Sequence, residues 1–149
     1  MRLSPHFTLG ELTVSGTGLA NVPNLAEVEA LTDLCEHVLE PVRALLRCPL
    51  RVNSGYRSHI VNTAIGGAQN SQHMHGEAAD VMPVGVTPHR AMELLAVEVR
   101  AGRLLVDQAI EYPTFLHLSY SARHPQRCEL LVSMARGGSG GPYHPLPLA

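Results

Sequence analysis

Ten residues constrain this chain more than any others: Ser71-Gln72-His73-Met74-His75-Gly76-Glu77-Ala78-Ala79-Asp80. They set two imidazoles and two carboxylates around one glycine, between a polar loop and a short apolar run. His and Asp are nitrogen and oxygen ligands of zinc, each about 2 Å from the metal. On a helix, His73 and Asp80 would stand about 10 Å apart along the axis. On one straight strand they would be roughly 23 Å apart. Neither separation lets them share an ion, so a common metal requires the chain to fold back between them. Gly76 permits that bend, because glycine enters the positive-φ region without steric cost. Beyond it, Ala78-Ala79-Asp80-Val81-Met82 can run as a strand that carries Asp80 back. Two readings stand side by side: a loop-turn-strand metal clip, and a polar surface loop leading into a core strand.

The flanking sequence reads as scaffold. Phe7-Thr8-Leu9-Gly10-Glu11-Leu12 is a short helical turn with Thr8 as N-cap and Glu11 three residues on. Asn24 caps a long amphipathic helix with Leu25, Val28, Leu31, Leu34, Cys35, Val38 and Leu39 at helical spacing. Pro41 kinks or restarts it. Leu50–Ser54 alternates with strand period and stops at Gly55, and a short helical piece spans His59–Ala64. Thr87 and Pro88 open a second long helix that ends at Gly102. Residues 107–112, 115–120 and 129–134 are further strands. One domain over residues 1–135 is expected, followed by a Gly- and Pro-rich tail, 136–149, expected to be disordered.

Composition narrows the function. A chain of 149 residues with 45% apolar and 16% charged residues suits a soluble globular protein. A net charge of -2 gives no general attraction to nucleic acid or an anionic membrane. No apolar run approaches the roughly 20 residues of a membrane span. The start shows no signal-peptide core, so synthesis in the cytoplasm is expected, as a monomer. Three cysteines without a C-x-x-C pair are poor candidates for chemistry, and Cys35 reads as a small buried hydrophobe. A Cys48–Cys128 bridge stays open, with the missing signal peptide weighing against it.

In Phe115-Leu116-His117-Leu118-Ser119-Tyr120, side chains alternate between faces. Leu116 and Leu118 suit the core, and Phe115, His117 and Ser119 share the other face. If this strand neighbours the Asp80 strand, about 4.8 Å away, Asp80 and His117 meet on the non-core face. A lone strand histidine is more often a half-buried bystander. One that adds a third ligand and leaves a fourth position open has the donor set of a catalytic zinc.

Taken together, Ser71-x-His73-x-x-Gly76-x-Ala78-x-Asp80 and Phe115-Leu116-His117-Leu118-Ser119 resemble the zinc D-Ala-D-Ala carboxypeptidase family. That family includes phage L-alanyl-D-glutamate endolysins and vancomycin-resistance dipeptidases, and shares its fold with the hedgehog signalling domain. Ser54-Gly55-Tyr56-Arg57-Ser58, Asn62 and Gly66-Gly67 match its upstream signature, and residues 7–12 match a common start of phage-type members. The resemblance covers residues 5–134. It implies an α+β fold: an antiparallel sheet of about four strands with helices on one face and a zinc cleft on the other.

The resemblance also implies one Zn2+ per chain, held by His73, Asp80 and His117. Arg57 would grip the substrate's carboxylate or carbonyl, a role suited to the paired hydrogen bonds of a planar guanidinium. Ser71 would contact substrate or support a ligand. Two departures stand out: Phe115 replaces the usual Trp, and Thr114 sits where many members carry a catalytic Glu or Asp. Threonine is no base near neutral pH, so Glu111, at the end of the preceding strand, is the best substitute. Glu77 and His75 occupy variable positions and are expected to face solvent, with His75 a rival ligand to His73. The activity implied is a zinc metallopeptidase cutting the stem peptides of bacterial peptidoglycan, in a phage or prophage lysis enzyme or a virion part. The bond, D-Ala-D-Ala or L-Ala-D-Glu, stays open. The alternative is a non-catalytic zinc-containing wall-binding or structural module. A metal-free fold with His73 idle is a third reading.

Overall fold

Capping signals set where the helices begin. In the computed structural model, which describes residues 1–135 and 140–147, the chain opens with β1 (Arg2–Ser4) and β2 (Phe7–Thr8), paired antiparallel. Thr8 caps α1 (Leu9–Leu12): its Oγ1 accepts the Glu11 N–H at 3.2 Å while the Glu11 carboxylate reaches back to the Thr8 N–H. Asn24 and Glu27 repeat this reciprocal pairing at the start of α2 (Leu25–Leu34). Two otherwise orphaned donors are satisfied at each helix start.

α2 runs through a π-helical turn, Cys35–Leu39, into α3 (Glu40–Leu46). Pro41 has no N–H for the carbonyl one turn earlier. The widened turn before it absorbs that break, and Leu34, Cys35, Leu39 and Glu40 all keep right-handed helical backbone. The restart expected at Pro41 is therefore a change of winding within one rod. Arg47, at φ 53°, ends it.

There follow β3 (Leu50–Ser54), α4 (His59–Ala64), a 3-10 turn at Gln72–His75, β4 (Ala78–Pro83), α5 (Pro88–Arg100), β5 (Gln108–Glu111), β6 (Leu116–Ser119), β7 (Glu129–Ser133) and β8 (Tyr143–Pro145). The six strands β3 to β8 build a mixed sheet in the order β3-β4-β6-β5-β7-β8. All neighbours in it are antiparallel except β5 and β7, which run parallel. The expectation of about four antiparallel strands is corrected on both points. After β6 the chain returns to the start of β5, where the Cys128 and Glu129 N–H groups bond the carbonyls of Val106 and Asp107. From there β7 has to run in the direction of β5.

β8 lies in the tail expected to be disordered, and there the expectation fails. Tyr143–Pro145 pair with Leu131–Ser133 and cover what would be an open edge. Leu146 packs against the core. Residues 136–139 and 148–149 of that tail fall outside the described residues.

One sheet face carries the core. Ala79, Val81, Ala109, Leu116 and Leu118 pack against Leu31, Leu34, Val38 and Leu39 of the long rod and Met92 and Leu95 of α5. Strand alternation leaves Asp80, Ile110 and His117 on the opposite face. All three cysteines are free, so Cys48 and Cys128 form no bridge; burial pushes the Cys35 thiol up to about 12. Among the described residues, no helix is long and apolar enough to cross a membrane.

Candidate metal centre

Strand register brings the first two donors together. Asp80 on β4 and His117 on β6 are direct cross-strand partners, and Asp80 Oδ1 lies 3.0 Å from His117 Nδ1. The third donor arrives through the bend. Gly76, at φ 72°, closes the 3-10 turn and reverses the chain. His73 Nε2 thereby comes within 3.3 Å of the same Asp80 Oδ1. The two rings meet edge to face, with centroids 5.2 Å apart and planes at 65°.

Hydrogen bonding fixes the tautomer of His73. Its Nδ1 is 2.8 Å from the Gly55 carbonyl oxygen, which can only accept, so Nδ1 carries the proton and donates it. Nε2 is left with a lone pair facing a carboxylate oxygen. Burial lowers the pKa of His73, against the pull of Asp80. Burial also opposes the charge of Asp80, but the two imidazoles beside it, His117 through a hydrogen bond at 3.0 Å, outweigh that cost. Its carboxyl is held well below the usual carboxylate range.

Lone pairs converging on one point fit a cation. The three donor atoms all lie within 4.8 Å of one another. Tetrahedral zinc with ligands at about 2.0–2.1 Å sets ligand atoms about 3.3 Å apart, close to the two separations from Asp80 Oδ1. The set of two nitrogens and one oxygen also suits zinc.

Arg57 braces this cluster. Its Nε donates to Ser54 Oγ at 3.0 Å, Nη1 to Asn62 Oδ1 at 3.5 Å and Nη2 to Asp80 Oδ2 at 3.3 Å. Three of its five N–H donors are thus engaged and two remain. Its backbone N–H donates to the His73 carbonyl at 3.0 Å. Ser71 caps the 3-10 turn, its Oγ accepting the His73 N–H at 3.2 Å. Arg57, Ser71 and the three donor residues all line one cleft of about 430 Å³. One wall is the loop from Gly66 to Gln72; the other is aromatic. There Tyr112 and Phe115 stack at 4.4 Å, and the Tyr112 hydroxyl meets that of Tyr143 at 2.9 Å.

Glu111 does not join the site. Along β5 it shares the face of buried Ala109, and its carboxylate lies 3.3 Å from His89 Nδ1 on α5. Period-two alternation turns it toward the helices, and the tight turn through exposed Pro113 and Thr114 offers no route back. The assignment of Glu111 as base is therefore corrected. Glu111→Gln is expected to keep activity within about twofold of the parent on the same substrate, as for a change outside the site. Glu77 is corrected too: it is fully buried, receiving Arg123 Nη2 at 2.8 Å and the Ala122 N–H at 2.6 Å. His75 is exposed and lies outside the cleft, as expected of a variable position. Sequence reasoning missed Asp107, a fully buried carboxylate that bonds Gln72 beside the metal clip.

Residues 5–119 match the sequence model of the family described as Peptidase M15, and the chain belongs to that family. A more particular likeness is to the zinc D-Ala-D-Ala carboxypeptidase of Streptomyces albus G. The two are 54% identical over 33 residues, which cover 22% of this chain and 13% of that protein.

Proposed function

We propose that this chain is a zinc-dependent peptidase that hydrolyses peptide bonds in the stem peptides of bacterial peptidoglycan. The observation that carries the reading is the convergence of His73 Nε2, Asp80 Oδ1 and His117 Nδ1 within 4.8 Å of one another on the open face of the sheet. The name of the Streptomyces relative supports the metal and the substrate class. The start at residues 7–12 adds a phage-type lysis or virion role to the proposal.

Zinc, when bound, supplies Lewis acidity to the substrate carbonyl. The chain's own residues do the rest. The Gly55 carbonyl fixes the ring of His73, and Arg57 fixes the outer oxygen of Asp80, so the donors stay aimed at one point. The two remaining N–H donors of Arg57 orient a substrate carboxylate or carbonyl. The Ser71 hydroxyl accepts from the backbone and keeps its own hydrogen for a substrate oxygen. The Tyr112–Phe115 stack shields one side of the reacting bond from water.

One observation favours a second reading, a non-catalytic zinc-containing wall-binding module. Among the described residues lining the cleft, Asp80 is the sole carboxylate, so no acidic side chain is free to act as base. Turnover separates the two. Purified peptidoglycan is incubated with the chain, and new amino groups are counted while mass spectrometry identifies the fragments. The peptidase predicts release that a chelator abolishes and added zinc restores. Wall binding with zinc present and no release supports the module instead.

A further inference from the structure

Asp107, just before β5, is fully buried and works as a mount. Its Oδ1 accepts the Arg127 backbone N–H and Arg127 Nε, each at 3.0 Å. Its Oδ2 accepts Arg127 Nη2 and Gln72 Nε2, each at 2.8 Å. Four donors fill the roughly four lone-pair sites of a carboxylate, so Asp107 has nothing left to offer a ligand. What it holds in place, Gln72 and Arg127, lines the cleft.

Arg127 differs from Asp107 in having capacity to spare. Its side chain is 50% exposed. Asp107 occupies the Nε–Nη2 edge of the guanidinium, and Nη1 has no partner among the described residues. A guanidinium held along one edge presents its other fork in a fixed direction, the geometry that takes a carboxylate with two parallel hydrogen bonds. The surroundings favour an anion. Arg57 and Arg127 line the cleft against the single carboxylate of Asp80, which Arg57 already neutralises.

Sheet order sets the spacing. β6, which carries His117, neighbours β5, and β5 neighbours β7, which Arg127 precedes by two residues. Ile110 pairs with both His117 and Leu131, and Arg127 lies four residues before Leu131. It therefore stands two strands across and about 13 Å along the sheet, roughly 16 Å from His117 between backbones. Its long side chain covers part of that, and about three residues of extended peptide span the rest. We propose that Arg127, held by Asp107, is a specificity-determining residue that binds the carboxylate of an acidic residue about three positions from the bond at the metal centre. This rests on the zinc peptidase reading and deepens it: the substrate class is an acidic peptide, and its amidated counterpart is the disfavoured ligand.

The test uses two synthetic stem-peptide analogues that differ only in carrying D-glutamate or its amide, with the zinc-loaded full chain. Calorimetry reads binding, and mass spectrometry reads cleavage. The acidic peptide is expected to bind about tenfold more tightly, the size of one charge-assisted hydrogen bond at a half-exposed site. That preference shrinks as salt is raised. R127Q brings the acid-to-amide ratio close to one, and R127K keeps part of it. Should R127Q fail to fold because Asp107 is left buried and unpaired, the parent's ratio and its salt dependence decide. Equal affinity for the two peptides overturns the proposal. So does binding of neither, or an R127Q variant that keeps the parent's ratio. Cleavage of both peptides without preference sinks the subsite and leaves the peptidase. Acid-selective binding without cleavage sinks the peptidase and leaves the subsite.

Discussion

Replacing Asp80 with Asn is expected to give a folded chain that retains no zinc through dialysis and releases nothing from peptidoglycan. The substitution keeps the shape of the side chain and removes its charge. Asp80 Oδ1 is the atom that both imidazole nitrogens face, and Oδ2 is held by Arg57. An amide satisfies one of these neighbours and opposes another. Changes in groups that merely support a ligand cost about 10–100-fold in metal affinity. Loss of a ligand together with its charge is therefore expected to cost at least about a hundredfold. The fold survives because the core lies on the other sheet face, around Ala79, Val81, Leu116 and Leu118. The cost to stability is that of leaving Arg57 without its ionic partner, about 1–3 kcal/mol. Metal analysis of the dialysed variant checks the first part and thermal unfolding the second. One zinc per chain in the Asn variant would move the metal elsewhere. Asp33, Glu36 and His37 are then the next group to test, since their donor atoms also lie within 4.8 Å of one another.

What the sequence reveals about this site follows the range of the signal. The bend at Gly76 and the alternation that sets Asp80 and His117 on one face are local, and both are present in the fold. The same alternation counted along β5 groups Glu111 with Ala109, away from Ile110, so the signal against Glu111 as base was also local. Glu77 is another matter. Its partner Arg123 lies 46 residues away, and nothing periodic connects the two. The mount at Asp107 is equally hidden, because Gln72 and Arg127 stand 35 and 20 residues from it on opposite sides. β8 escapes notice for a different reason: three strand residues sit among glycines and prolines whose composition reads as a linker. Its place on the sheet depends on the prior course of β7, a tertiary fact with no local signature.

Gly76→Ala is expected to be the most destabilising single-methyl change in the metal clip. Two costs combine at this position. The backbone sits at φ 72°, where a Cβ raises the energy by about 1–2 kcal/mol. The added carbon would also stand 2.5 Å from the Glu27 carbonyl oxygen and 3.2 Å from Leu31 Cγ. Neither neighbour can retreat easily. Glu27 belongs to the first turn of α2, pinned by its pairing with Asn24, and Leu31 is fully buried in the core. The clip must therefore lift off α2, which pulls His73 from Asp80 as it does so. A total loss of about 3–5 kcal/mol follows, in the range kept for overpacking joined to backbone strain, with a fall in Tm of roughly 10 °C. Gly66→Ala separates the two costs. Gly66 shares the backbone conformation, at φ 71°, but a Cβ there meets nothing within 4 Å. It is expected to lose only the conformational part. Urea unfolding of both variants reads the difference directly: equal losses would mean that α2 does not hold the clip in place, and that the bend positions His73 by its own backbone geometry alone.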